Sequence, residues 1–565
     1  MLGISAWDWF TLFLYLVGVT AIGVWSARKV HNTTDFFMAG RRFGKLMMIS
    51  FSFGAGTKAD DAVGVAAKTY VSGMSGIWYQ WLWLFCTPFY WLIAPVFRRM
   101  RAITTGDFFE ARYGPSVTVL YVLVGILQIT VNIGVMLRGS AAIIESVSGG
   151  SISQAWAVTI MTVFFVIYGV AGGLGAAIVT DFIQGILTIA FSFMVLPIAL
   201  HAVGGMSGLR GQIADPHMFS LVTPGEINRF HIVMLAINSL VGIVTQPHMM
   251  GVCAAGRSEM NGRVGFVGGN IMKRVCTVAW MLTGLCAVVL YPGLKGPETD
   301  LAYGKMARDI LPQIAPGMVG IFLAGLLASI MSSCDAFMVS SSGLFTQNIY
   351  RRHLAPNRTE AHYLQVGRVA SVVIVAGGIA FAFWFKNVVH GLETFWKIMA
   401  MMGVAFWLGL FWRRMTPAGA WTATLVAFAV LLLTSSAPFQ EFAREKLPAC
   451  MLWDDRFRMS WQIFSYLTAA LISGVVVSVI TRPIAKERLD LFYQCLHTPC
   501  APGEPDVAPF TLPPDVKPYP VRKLIHHPDF EIPFPSAISV LGFVVVWLVV
   551  FVMIAFVYWL AQLGA

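Results

Sequence analysis

Again and again along this chain an apolar run of about 20 residues ends in a short polar break, and runs of that length read as transmembrane helices. Their approximate boundaries are 6–27, 46–70, 75–97, 116–147, 155–176, 178–203, 229–255, 270–292, 315–345, 366–386, 392–412, 417–436, 459–481 and 538–562. About fourteen spans give an all-α polytopic membrane protein. The composition agrees: 57% of the residues are hydrophobic and 12% charged, against about 25% charged in a soluble domain. The first run lacks both a basic region before it and a small-residue cleavage site, so it reads as a retained helix and not as a signal peptide.

A net charge of +11 could suggest a nucleic-acid partner, but the basic residues fall in short loops, so none is expected. Arg28, Lys29, Arg41, Arg42 and Lys45 follow the first span, and Arg98, Arg99, Arg101 and Arg112 the third. Arg257, Arg263, Lys273 and Arg274 follow the seventh, Arg351, Arg352, Arg358 and Arg368 the ninth, and Arg413 and Arg414 the eleventh. All these clusters share one side if every span crosses. The positive-inside rule then puts both termini outside the cytoplasm, in the plasma (cell inner) membrane. The eight cysteines form neither a disulfide framework nor a metal-spaced cluster. Residues 1–481 make up the transmembrane domain. The Pro-rich stretch 482–537 is expected as an irregular cytoplasmic segment, docked or partly disordered, before a last helix within 538–565. The outside loops 204–228, 293–314 and 437–458 have room for short helices.

Three spans carry chemistry. The second contains SFGAGTKADDAVG, Ser52 to Gly64. A charge at the bilayer centre costs roughly 2.5–3.5 kcal/mol, and non-helical backbone is tolerated there only where it is buried or lines a watery cavity. Gly54 and Gly56 make this helix easy to unwind, freeing carbonyl oxygens that suit a small alkali cation, with Lys58, Asp60 and Asp61 facing a cavity. The plainer alternative is close helix packing with snorkelling charges. The ninth span holds AGLLASIMSSCD, Ala324 to Asp335, in which Ser329, Ser332 and Ser333 share one face and Asp335 lies on its flank. That patch suits a cation, unless the serines only satisfy their own helix. In the sixth span Asp181 is a lone carboxylate, a functional candidate by default, with a structural acceptor as the alternative. The seventh span is interrupted like the second, at Asn238, Ser239 and then TQPH, Thr245 to His248, where Pro247 removes a helical donor. Interrupted spans in matching positions point to an inverted repeat.

Five further segments are DFFMAGRR (Asp35–Arg42), TTGDFFEARYG (Thr104–Gly114), YGVAGGLGAAIVTDFIQ (Tyr168–Gln184), LFTQNIYRR (Leu344–Arg352) and LGLFWRR (Leu408–Arg414). With the Ser-Ser of span nine they resemble, in order and spacing, the sodium:solute symporter family of sodium/glucose and sodium/proline transporters, over about residues 30 to 420. The resemblance implies the leucine-transporter-like fold. Its two inverted five-helix repeats would be spans two to six and seven to eleven, a core of about 46–412, with peripheral helices. It implies one sodium ion on the carbonyls of Gly54 and Thr57 and on Ser329, Ser332 and Ser333, with sodium the only metal and no other cofactor. It implies a second cation or a proton near Asp181, where Asp335 replaces the family's hydroxyl. For the solute it implies Asp61, Gln80, Gln246 and a position near Glu393, with His248 at an inner gate and Lys397 one turn after Glu393.

Lys58 departs from the family pattern. Either it pairs with Asp60 or Asp61 and reads a charged solute, or its ammonium stands in for sodium. The expected function is sodium-coupled import of a small polar solute (amino acid, sugar or organic acid) by alternating access, with the solute, sodium and membrane lipid as partners. A sodium-independent or proton-coupled carrier, with Lys58 replacing the ion, and a transporter-derived sensor remain open. An enzyme is not expected, since the chain carries no His/Glu metal pair, G-x-S-x-G nucleophile or phosphate loop.

Overall fold

The computed structural model describes residues 5–27, 38, 41 and 43–564, and within them all side chains except those of 23–27, 164, 165, 167–177, 179 and 335. The principal helices are α1 (Ala6–Ala27), α2 (Lys45–Gly56), α3 (Ala59–Ser72), α4 (Thr87–Arg99), α5 (Pro115–Val147), α6 (Gln154–Phe193), α7 (Arg229–Ile243) and α8 (Met249–Ala254). They continue with α9 (Glu259–Leu290), α10 (Met318–Phe345), α11 (Glu360–Trp384), α12 (Val388–Met399), α13 (Gly403–Phe411), α14 (Pro417–Ser435), α15 (Met459–Ile480) and α16 (Ala537–Gln562). Short helices fill the three loops expected to hold them, for example Ala302–Ile310 and Ala437–Lys446.

The second and seventh spans are both broken, as their sequences require. Between α2 and α3, Thr57 (φ −117°, ψ 112°) and Lys58 (φ −125°, ψ 156°) are extended. The new helix start is capped when the Lys58 N–H donates to Asp61 Oδ2 at 3.1 Å. Asp60 and Asp61 thus occupy its first turn, where the helix dipole favours negative charge. Between α7 and α8 the chain leaves the helix at Val244 and re-enters after His248, around the donor-less Pro247. Each break opens one set of five spans. α9 lies along α2 and α3, α10 packs against α6, and α5 packs on α11 and α12. Outside this core α1 covers α6 and α10, α14 pairs with α15, and α16 leans on α4.

Among the described residues nine helices are long and apolar enough to cross a membrane. Of the other expected spans, 46–70, 75–97 and 229–255 are interrupted, and 6–27 and 155–176 run into residues whose side chains are not described. The fifth and sixth expected spans form one helical element, α6, of 40 residues. Straight, it would be about 60 Å long. Yet its start, where Gln154 donates to Glu145 at 2.6 Å, lies by the end of α5 that packs on Ala302–Ile310, while Tyr303 of that same short helix donates to Phe191 O at 3.0 Å near the far end of α6. The two ends of the element thus lie closer together than a straight helix of that length allows.

The basic loops meet at one end of the molecule. Arg41 donates to Ala102 O at 2.8 Å, Arg99 pairs with Glu259 at 2.8 Å, Arg352 reaches Asp107 at 3.3 Å, and Arg112 holds Trp412 O at 2.9 Å. The segment after α15 is draped over this end. It forms a helix at Lys486–His497 and then runs irregularly, pinned by Arg101–Glu504 and Arg413–Glu531, each 2.5 Å, and by Phe510 N–H on Met100 O at 2.9 Å. Lys273 and Arg274 are absent from this end. They lie about four turns inside α9 and are buried, so their reading as loop charges is corrected.

Candidate functional site

The first cluster forms where α2 ends against α10 and α6. Ser333 Oγ donates to Gly54 O at 2.9 Å. Ser332 Oγ touches the Gly54 α-carbon so closely that a side chain there would collide with it, and Asp181 Cγ lies 3.2 Å from where that Cβ would be. Glycine at 54 is thus a condition of this contact. Asp181 is 0% exposed, and neither carboxylate oxygen holds a hydrogen bond of good geometry; nor does Ser332 Oγ. Ser329 is buried with its hydroxyl turned to Leu326 O at 2.8 Å, and Thr57 is buried at the break. Gly54, Asp181, Ser332 and Ser333 therefore converge. The resemblance implied a separate site at Asp181; here Asp181 adjoins Gly54 and Ser332 directly. The Asp335 side chain lies outside the described residues, as do those of most of Tyr168–Gln184 and of Asp35–Arg42 apart from 38 and 41.

The second feature is a cavity of about 60 Å³ beside the break. Of the expected solute residues, Lys58, Asp61, Gln80, Gln246 and His248 line it. Lys58 Nζ donates to Asp60 at 3.1 Å and to Asn132 at 2.7 Å, and lies 5.6 Å over the Phe395 ring. Gly139 on α5 makes room for this arrangement, since a Cβ there would sit 2.6 Å from Asp60 Cα. Asp61 accepts from Gln80, and its other oxygen pairs with Lys273 at 2.7 Å. Lys273 also donates to Gly56 O, a carbonyl freed by the break. Across the cavity Gln246 reaches Met399 Sδ at 3.7 Å, and His248 packs 4.8 Å from Phe337.

Glu393 and Lys397 do not line the cavity. On α12 the residues that do are Leu392, Phe395 and Trp396, while Glu393 accepts from Tyr79 at 2.6 Å on a neighbouring face. Lys273, Arg274, Asn132 and Asn270 line it unanticipated, with Tyr90 stacked on Phe266 at 4.1 Å as an aromatic wall. The signal for Lys273 and Arg274 was two charges in tandem ahead of an apolar run, which also fits a loop.

A membrane bundle with two interrupted helices enclosing buried charge defines a secondary transporter. The model of the sodium:solute symporter family matches residues 36–427, and the chain belongs to that family, whose work is sodium-coupled symport of small solutes. It is 25% identical over 488 residues to the sodium/glucose cotransporter of Vibrio parahaemolyticus, covering 78% of this chain and 88% of the relative. It is 24% identical over 499 residues to the high-affinity proline transporter PutP of Bacillus subtilis (strain 168), covering 83% and 98%. A solved Na+-coupled sialic acid symporter, in a substrate-bound outward-open state, superposes with a TM-score of 0.71 at 17% identity, over 85% of this chain and 99% of that one. The fold is the leucine-transporter-like one.

Proposed function

We propose that the coupling sodium ion is held where α2 breaks against α10, by Asp181, Ser332, Ser333 and the carbonyls of Gly54, Thr57 and Ser329, and that the solute occupies the adjoining cavity at Lys58 and Asp61. Asp181 carries this reading. An ionised carboxylate buried without a counter-charge costs several kcal/mol, and Asp181 has no cationic partner among the described residues while touching a freed backbone segment and the Ser332 hydroxyl. A cation there offsets the cost. A proton would neutralise Asp181 too, but only a metal ion makes use of the hydroxyl and carbonyl oxygens around it. Lys58 supports the solute-reading role over ion replacement, because its ammonium is already engaged by Asp60 and Asn132.

The coupling is a population shift. Sodium bridges the α2–α3 break to α10 and α6, and this favours the conformation in which the cavity beside the same break is open to solute. With the basic end in the cytoplasm, a cation entering across 100 mV supplies about 2.3 kcal/mol. A tenfold sodium gradient adds about 1.4 kcal/mol, enough together to sustain roughly a 500-fold solute gradient per ion.

The test is thermal melting of the purified protein in NaCl against KCl. The wild type melts higher in NaCl. Asp181→Asn loses that difference and melts higher than wild type in KCl, because an uncompensated buried charge has gone. An undiminished sodium response in Asp181→Asn would remove Asp181 from the site.

A further inference from the structure

The cavity holds a charge that no carboxylate among the described residues pairs with. Three cationic side chains line it, Lys58, Lys273 and Arg274, against the single carboxylate of Asp61. Lys58 is matched by Asp60 behind it, and Lys273 by Asp61 at 2.7 Å. Arg274 is left. It is 1% exposed, its Nη2 donates to Asn270 at 3.2 Å, and its Nε and Nη1 have no acceptor. The buried Tyr90 hydroxyl, on the same cavity wall, lies beside this guanidinium without a hydrogen bond of good geometry to it, and neither brings a negative charge to the other. Unsatisfied charged donors in a dry site are costly, so the expected occupant brings an acceptor with negative charge. A guanidinium presents a forked pair of donors that fits a carboxylate.

The same bookkeeping argues against a zwitterion. An ammonium group would find Gln80 Oε1 unpaired there but no carboxylate free of a cation. Asp61, the one that lines it, has Oδ1 taken by Gln80 and Oδ2 taken by Lys273 and the Lys58 N–H. A sugar would leave Arg274 without a counter-charge. Tyr90, Phe266, Phe395 and Trp396 supply an apolar wall for the rest of the molecule.

Resting on the reading of this cavity as the solute site, we propose that the transported solute is a small organic anion, its carboxylate held by Arg274 and the Tyr90 hydroxyl and its apolar body against the aromatic wall. Lys58 and Lys273, already paired, set the positive field that draws it in.

The experiment melts the purified full chain in NaCl with matched pairs: acetate and acetamide, lactate and lactamide, benzoate and benzamide, with proline and glucose alongside. At least one carboxylate raises the melting temperature by about 2 °C or more, its amide does not, and Arg274→Gln abolishes the rise. If Arg274→Gln does not fold, Tyr90→Phe is expected to weaken it. Stabilisation by proline, glucose or an amide with none by any carboxylate overturns the proposal, as does silence from every carboxylate or a rise that survives in Arg274→Gln. The NaCl-over-KCl difference without solute is read separately. Its persistence keeps the sodium site when the anion fails, and its absence counts against the sodium site alone.

Discussion

The two interrupted helices use one backbone device for two kinds of chemistry. At Thr57–Lys58 the break is charged: Lys58, Asp60 and Asp61 crowd it, and Asp181 and Ser332 press on the glycine before it. At Val244–His248 the break carries no Lys, Arg, Asp or Glu, and Thr245 and the nearby Asn238 bond to uncharged partners. Thr245 Oγ1 donates to Met399 O at 2.9 Å, and Asn238 donates to Trp396 O at 2.8 Å while accepting from Tyr466 at 2.6 Å. Repetition of a fold thus copies geometry without copying function. On the proposed reading one break gains and loses an ion, and the other holds the opposite wall in shape. Substitutions at the first should disturb ion and charge balance, and those at the second mainly packing.

The largest effect is expected from Lys58→Met, which strands Asp60 as a buried unpaired carboxylate. A loss of about 3–5 kcal/mol in stability by denaturant melts should be largely recovered when Asp60→Asn is added. A double variant as unstable as the single would break the pairing argument. Next, Ser332→Ala with Ser333→Ala should weaken sodium binding by about a hundredfold, ~2.7 kcal/mol, in isothermal titration with NaCl. Gly54→Ala, whose Cβ would run into Ser332, should cost about tenfold in the same titration. Gly56→Ala, whose Cβ would meet nothing within 4 Å, should leave binding near wild type. Smallest is Thr245→Val at the neutral break: about 1 kcal/mol of stability with an unchanged sodium response. A sodium effect there as large as at Gly54 would erase the contrast.

What the sequence shows of this site, and what it hides, follows from range. Both breaks are legible because their causes are local, in Gly54 and Gly56 and in Pro247. The serine strip is legible from helical spacing, and Ser333 does reach Gly54 O. That Asp181 joins the same cluster depends on how α6 packs against α2, which no local pattern encodes. Lys273 and Arg274 are misread because α9 begins at Glu259, well before the apolar run, so that buried charges about four turns inside it resemble a loop. Glu393 and Lys397 fall on the wrong face of α12, whose neighbouring positions Leu392, Phe395 and Trp396 turn to the cavity. One residue is about 100° of helix, enough to change partners.

The most direct measurement is equilibrium binding of 22Na+ to the purified protein and to two variants, Asp181→Asn and Lys58→Met. Saturable binding in the wild type, retained in Lys58→Met and weakened at least about tenfold in Asp181→Asn, is the expected result. Undiminished binding in Asp181→Asn, or binding that emerges only once Lys58 is removed, would contradict the account.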